Sequence, residues 1–149
     1  MKEEQVILVN MNDNQIGVLE KLEAHQKGML HSAISVFVFN SDNKLLLQRR
    51  ALNKYHSSGL WSNTCCGNPR PGEDTKEAAS RRLIEEMGIS CALSHTFFIP
   101  YRVDFENNLV EHEYDHCFTG ISDRLPLLNK EEAIEYKYLT LADIKTDMA

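Results

Sequence analysis

The chain has 149 residues, a net charge of −6, 42% hydrophobic and 26% charged residues, the make-up of a soluble globular protein that excludes disordered and fibrous classes. This length fits one domain with a real core, residues 1–149, and its acidic balance gives no general attraction to nucleic acid or to an anionic membrane. No segment has the apolar region of a signal peptide or the ~20 apolar residues of a membrane span, and the four cysteines form neither a paired framework nor a CxxC motif, which points to the reducing cytoplasm and away from a zinc finger.

In chain order, "EQVILVN" reads as a strand, "MNDNQ" as a turn and "IGVLEK" as a second extended piece. "AISVFVF", the turn "NSDN" and "KLLLQRR" then read as a β-hairpin. The clearest helix runs from Thr75 to Met87, with Asp74 as its cap, Glu77 three residues on and Gly88 as its stop. "HTFFIPYRVDF" and "LVEHEYDHCFTGI" follow as strands around "ENN". Alternation puts Glu111, Glu113 and Asp115 on one face and His112, Tyr114, His116 and Phe118 on the other. "IEYKYLT" is a last strand and "LADIKTDM" begins a helix, so strands dominate around one well-marked helix in a mixed α/β (α+β) domain.

The loop and helix from Gly67 carry the first chemical signal. Five residues separate Gly67 from Glu73 and seven separate Glu73 from Arg81, followed by Arg82, Leu83, Ile84, Glu85, Glu86, Met87 and Gly88. This pattern resembles the Nudix box, which binds a divalent metal and a diphosphate, and implies a Nudix-type mixed sheet sandwiched between helices. One position departs from it. Hydrolases of that superfamily carry glutamate after the arginine, where this chain has Arg82. Glu86 remains able to hold Mg²⁺, and Arg82 to pair with phosphate. The plainer alternative is that Arg81–Glu85 and Arg82–Glu86 are surface ion pairs.

"WSNTCCGNP" before the box, "LLLQRRALNKYHSSGLW" before that and "VEHEYDHCF" after it are similar to type 1 isopentenyl diphosphate isomerases. The resemblance spans almost the whole chain and implies a shift of the double bond of isopentenyl diphosphate to give dimethylallyl diphosphate, in isoprenoid biosynthesis. It assigns proton transfer to Cys66 on one face of an apolar slot and to Glu113, with Tyr101 nearby, on the other. Cys65, Cys91 and Cys117 are left as small buried residues. Lys21, Arg50, Lys54 and Arg82 would anchor the diphosphate, and Trp61 would wall a carbocation. His25, His31, Glu111 and Glu113 would hold Zn²⁺ or Mn²⁺, and Glu86 would hold Mg²⁺ with the diphosphate.

Asn68 stands where the family has a histidine ligand, and since an amide oxygen is a weaker, harder ligand than imidazole, the expectation is lower zinc affinity, a drift toward Mn²⁺ or Mg²⁺, or a four-ligand site. The C-terminus is expected to be shorter than usual for the family. The implied partner is a small diphosphate, with no nucleic acid or membrane, for a monomer or weak homodimer. The alternatives are a Nudix hydrolase of a nucleoside diphosphate derivative and a non-catalytic diphosphate-binding Nudix domain.

Overall fold

A computed structural model describes residues 4–54 and 58–148. Tyr55, His56 and Ser57 of "LLLQRRALNKYHSSGLW" lie outside the described residues. Among the described residues the order is β1 (Gln5–Val9), β2 (Gln15–Glu20), α1 (Lys21–Lys27), β3 (His31–Phe39), β4 (Leu45–Arg50), β5 (Trp61–Ser62), β6 (Cys65–Gly67), α2 (Thr75–Met87), β7 (Ser94–Asp104), β8 (Val110–Ile121), β9 (Ala133–Leu139) and α3 (Leu141–Met148). No helix among them is long and apolar enough to cross a membrane.

The strands form one mixed sheet with β3 at its centre. β3 pairs in parallel with β8 along its whole length, from His31 opposite Glu113 to Phe39 opposite Ile121. On its other edge it pairs antiparallel with β6, through Ile34–Gly67, Ser35–Cys66 and Val36–Cys65. Its near-continuous burial suits a strand covered on both faces. β1 joins β3 at Leu8–His31 and β2 at its other edge, while β7 lies along β8.

This arrangement corrects two sequence readings. β3 and β4 meet across the "NSDN" turn at the single pair Phe39–Leu45, and then part. β4 pairs instead with β9 and β5, because the edges of β3 that a hairpin partner would need are taken by β6 and β8. The expected single helix is also too few. Lys21–Lys27 forms α1, whose N-cap Glu20 makes no side-chain cap bond and whose end is set by Gly28 at φ 65, a left-handed position that glycine adopts without strain. The helix begun at "LADIKTDM" forms as α3.

α2 covers the sheet as its pattern predicts. Asp74 accepts a hydrogen bond from the Glu77 N–H at 2.7 Å, and Ala78, Ala79, Leu83 and Met87 pack on Ile34, Val36, Val38 and Phe118. Each fully buried large apolar side chain here contributes about 1.5–3 kcal/mol relative to exposure. Since even positions of β3 face α2, odd ones such as His31 and Ser35 turn to the opposite face. That face holds the cavity described below.

The glutamate and first arginine of the box fasten the loop before α2. Arg81 donates from Nε and Nη2 to the two Glu73 oxygens, each at 2.9 Å, and from Nη2 to the Asn68 carbonyl at 3.1 Å. The Arg70 N–H adds a bond to Glu73 at 3.0 Å. Burial would raise the Glu73 carboxyl, but Arg81 and this backbone bond override it and hold it below its ordinary range. Glu73→Gln is expected to cost about 1–3 kcal/mol, read as a lower urea midpoint at unchanged slope. Because the folded-state value is depressed, the difference from wild type is present at neutral pH and closes as the pH falls below the carboxylate range.

Candidate active site

A cavity of about 410 Å³ opens between the end of α1, β6, β8 and the N-terminal approach of β9. Cys66, Glu111, Glu113 and Tyr101 line it, as do His25, Asn68 and Glu86, the cations Lys21, Arg50, Lys54 and Arg82, and Trp61. His31 sits fully buried beside Glu113. Every site residue named from the sequence therefore lies in or against one space.

His25, His31 and Glu113 bring one ligand atom each to within 4.8 Å of one another. α1 supplies His25, whose Nδ1 bonds the Lys21 carbonyl at 2.8 Å. β3 supplies His31, whose Nδ1 bonds the Met29 carbonyl at 2.9 Å. Carbonyls accept only, so both Nδ1 atoms carry protons and both rings turn Nε2 toward the cluster, the arrangement that orients metal-binding imidazoles. His31 Nε2 has no hydrogen-bond partner yet lies 3.3 Å from Glu113 Oε2. Two lone-pair atoms that close and buried require a positive charge between them, whether a proton or a cation. The set fits a divalent ion of the kind held by imidazole and carboxylate. Burial lowers the His25 pKa, which keeps its ring neutral and able to ligate.

Tyr101 joins the two glutamates of β8. Its hydroxyl donates to Glu113 Oε1 at 2.5 Å and reaches Glu111 Oε1 as well. Burial, then the negative charge of Glu113, pushes the Glu111 carboxyl up to about 7. Burial would raise Glu113 too, but the adjacent His31 imidazole, Tyr101 and Glu111 hold it down at about 2. Within the pair Glu113 is the more acidic carboxyl and Glu111 the one that holds a proton more readily. Asn68 does not turn its amide oxygen to this cluster, as in the four-ligand alternative. Its Nδ2 donates to the Ser32 carbonyl at 3.0 Å and faces Glu113 Oε2 at 3.5 Å. A carbonyl demands a donor, so the amide nitrogen, which has no lone pair to give a metal, points at the cluster in place of the expected oxygen.

The vicinal cysteines separate by strand alternation. Cys65 turns into the core beneath α2, while Cys66 faces the cavity opposite Ser35. Burial, followed by the charges of Glu86 and Asp115, pushes the Cys66 thiol up to about 12. Glu113 and Cys66 stand on strands flanking β3, opposite His31 and Ser35, so their backbones are offset by about 10 Å across the sheet and about 13 Å along it, and their side chains converge on the cavity. Between them Ser35 donates to Asp115 at 2.7 Å and lies 3.8 Å from the Cys66 sulfur.

The cations are held by carboxylates. Lys21 lies 3.6 Å from Glu4, Lys54 pairs with Glu132, and Arg82 reaches Glu85, Glu86 and Glu132 at 3.0–3.2 Å. Both helix ion pairs weighed as the plainer reading, Arg81–Glu85 and Arg82–Glu86, do form, but Arg82 and Glu86 form theirs at the cavity wall and not on an open surface. Arg50 keeps a buried Nε without a partner. Lys137 lies 4.2 Å over the Trp61 ring. Sequence reasoning missed Glu4, Gln48, Asn63, Phe105 and Glu132. Gln48 donates to Glu86 at 3.0 Å, and only its place on a strand ending at Arg49 and Arg50 could have hinted at it.

A family model described as NUDIX domain matches residues 29–149. Isopentenyl-diphosphate Delta-isomerase 2 of Aromatoleum aromaticum is 53% identical over 98% of this chain and 77% of its own length. The chain belongs to the isopentenyl-diphosphate Delta-isomerase family. Another member, from Pectobacterium atrosepticum, is 52% identical over 97% of this chain and 80% of its own. The isomerase family's fold is shared by solved structures of DR0079 from Deinococcus radiodurans (TM-score 0.80, 18% identity, 97% of this chain and 88% of that one) and of a MutT protein from Methanosarcina mazei Go1 (TM-score 0.66, 25% identity, 78% and 81%).

With its thiol pushed up to about 12, Cys66 of this family member stays protonated through pH 9. Its alkylation by iodoacetamide in metal-free protein is expected to be slow at pH 7 and to climb about tenfold per pH step without a plateau below pH 10. A plateau between pH 7 and 9, read by peptide mass spectrometry, would contradict this environment.

Proposed function

We propose that this chain isomerises isopentenyl diphosphate to dimethylallyl diphosphate, an allylic double-bond shift of isoprenoid biosynthesis, and that it works in the cytoplasm as a monomer or weak homodimer. The observation that carries the reading is the placement of Glu113 and Cys66 on opposite flanks of β3 around one cavity. The reaction adds a proton to the terminal alkene carbon, giving a tertiary cation, and removes one from the carbon on the diphosphate side. The electron pair of that C–H bond becomes the new double bond. Protons balance, and no bond to phosphorus changes.

Such chemistry needs two proton-handling groups facing each other across a space closed to water. The Glu113 side, with Tyr101 holding its carboxyl, serves one, and the Cys66 sulfur serves the other. Leu60, Trp61 and Phe105 supply apolar wall, and the Trp61 face offers a cation about 0.5–2 kcal/mol of attraction. Lys21, Arg50, Lys54 and Arg82 anchor the diphosphate, Arg50 with a spare donor and the others by trading carboxylate for phosphate oxygens.

His25, His31 and Glu113, with Glu111 adjoining, would hold Mn²⁺ or Zn²⁺, and Glu86 would hold Mg²⁺ with the diphosphate. These ions supply positive charge that fixes the Glu113 carboxylate and neutralises the diphosphate. A hydrolase reading is disfavoured by Arg82, which stands where a hydrolase presents a carboxylate.

The test is an assay of isopentenyl diphosphate with Mg²⁺, with and without Mn²⁺ or Zn²⁺, following the acid-labile allylic product. Cys66→Ala and Glu113→Gln are expected to lower kcat by at least about 10³-fold while melting near wild type. Phosphate release with no allylic product would overturn the proposal. Asn68→His places a lone-pair donor where an amide N–H now faces Glu113, so it is expected to tighten Zn²⁺ binding by about 10–100-fold in competition with a chromophoric chelator.

A further inference from the structure

Asn63, in the turn between β5 and β6, has every hydrogen-bonding capacity of its amide engaged. Nδ2 donates to the Val36 carbonyl at 3.0 Å and to the Cys65 carbonyl at 2.9 Å. Oδ1 accepts from the Ser62 hydroxyl at 2.9 Å and from the Cys66 thiol at 3.1 Å. Two donors and two lone pairs are all an amide has. Its orientation is therefore fixed, since turning it over would set NH₂ against two donors and oxygen against two carbonyls.

A thiol is a weak donor that ordinarily rotates about its Cβ–Sγ bond. Ser35 Oγ, whose proton goes to Asp115, is the other acceptor within reach of the thiol but lies 3.8 Å away, so the contact at 3.1 Å makes Asn63 Oδ1 the closer partner of the resting Cys66 S–H, with the sulfur at the cavity wall. We infer that Asn63 is the positioning residue of the thiol: it fastens the loop through two carbonyls and, by accepting the resting S–H, holds the Cys66 sulfur at one place on the cavity wall. From there the S–H turns to the substrate carbon and gives up its proton, leaving a thiolate, while a carboxylate on the Glu113 side takes the proton that the substrate loses. The inference rests on the isomerase reading for its consequence in turnover. Alignment of a proton-transfer group carries a large share of its effect, and a misplacement of about 1 Å costs on the order of 10²-fold. Asn63 exchanges no proton itself and acts through the thiol it holds.

Two readouts test this. The S–H stretching band of Cys66, assigned by Raman difference against Cys66→Ala, needs no turnover and therefore stands even if the wild type fails to isomerise. It is expected at a hydrogen-bonded frequency in wild type and at the free frequency in Asn63→Ala. In the isomerisation assay Asn63→Ala is expected to lose about 10–100-fold in kcat with KM within about twofold, the pattern of an interaction that acts on the chemical step. Asn63→Asp keeps an acceptor for the thiol while giving up both loop-fastening donors, and is expected to recover kcat above the alanine variant. Asn63→Leu, of similar shape without an acceptor, replaces the alanine variant if that one does not fold. A free S–H band in wild type overturns the proposal. So does a loss confined to KM, an unchanged kcat, or an aspartate variant as slow as alanine.

Discussion

The structure depends on the double pairing of β3. A strand that hydrogen-bonds β8 along one edge and β6 along the other has no register left to choose, because a slip by one residue would turn its apolar positions out of the α2 contact and into the cavity. That one constraint brings His31 beside Glu113 and Ser35 beside Cys66, residues far apart in the chain. It also explains why the hairpin suggested by the sequence dissolves after one pair. Local turn chemistry at Asn40–Asn43 closes the bend, but long-range pairing decides where β4 goes.

Charge balance is the second constraint. Among the described residues the cavity gathers Glu4, Glu86, Glu111, Glu113, Asp115 and Glu132 against the cations Lys21, Arg50, Lys54 and Arg82. Buried carboxylates at such density either share protons or attract cations. The upward shift of Glu111, of Glu86 and of Asp115, the last to about 6, expresses this pressure, with burial first among its causes in each. Divalent ions, which carboxylates at this density favour, would supply the missing positive charge, so that a chain acidic overall is not thereby barred from an anionic ligand.

The sequence made some of this legible and hid the rest for identifiable reasons. α2 could be read to its ends because Asp74 and Gly88 are local signals acting on neighbouring backbone groups. The alternation in "VEHEYDH" assigned faces correctly, since a strand's period needs no knowledge of its partners. α1 was missed because it carries no N-cap bond and derives its stability from packing Ala24 and His25 inward. Asn63, Gln48 and Glu132 were illegible because their roles are hydrogen bonds and ion pairs to groups on other elements. Asn68 could be flagged as a departure from the family, but not its amide's orientation, which the distant Ser32 carbonyl sets.

The departure at Arg82 can be understood from the same balance. A Cβ at Gly67 would lie 2.6 Å from Arg82 Cγ, so the bare glycine is what lets the arginine stem cross β6 and deliver its guanidinium between Glu85, Glu86 and Glu132. A glutamate at 82 would add another negative charge to that group and raise its demand for metal, which suits chemistry at phosphorus. The arginine instead offsets that charge from within and keeps at the cavity wall a guanidinium whose geometry suits carboxylate and phosphate oxygens alike. Glycine and arginine thus form one device, in which a bare backbone position makes room for the stem that sets a guanidinium at the cavity wall.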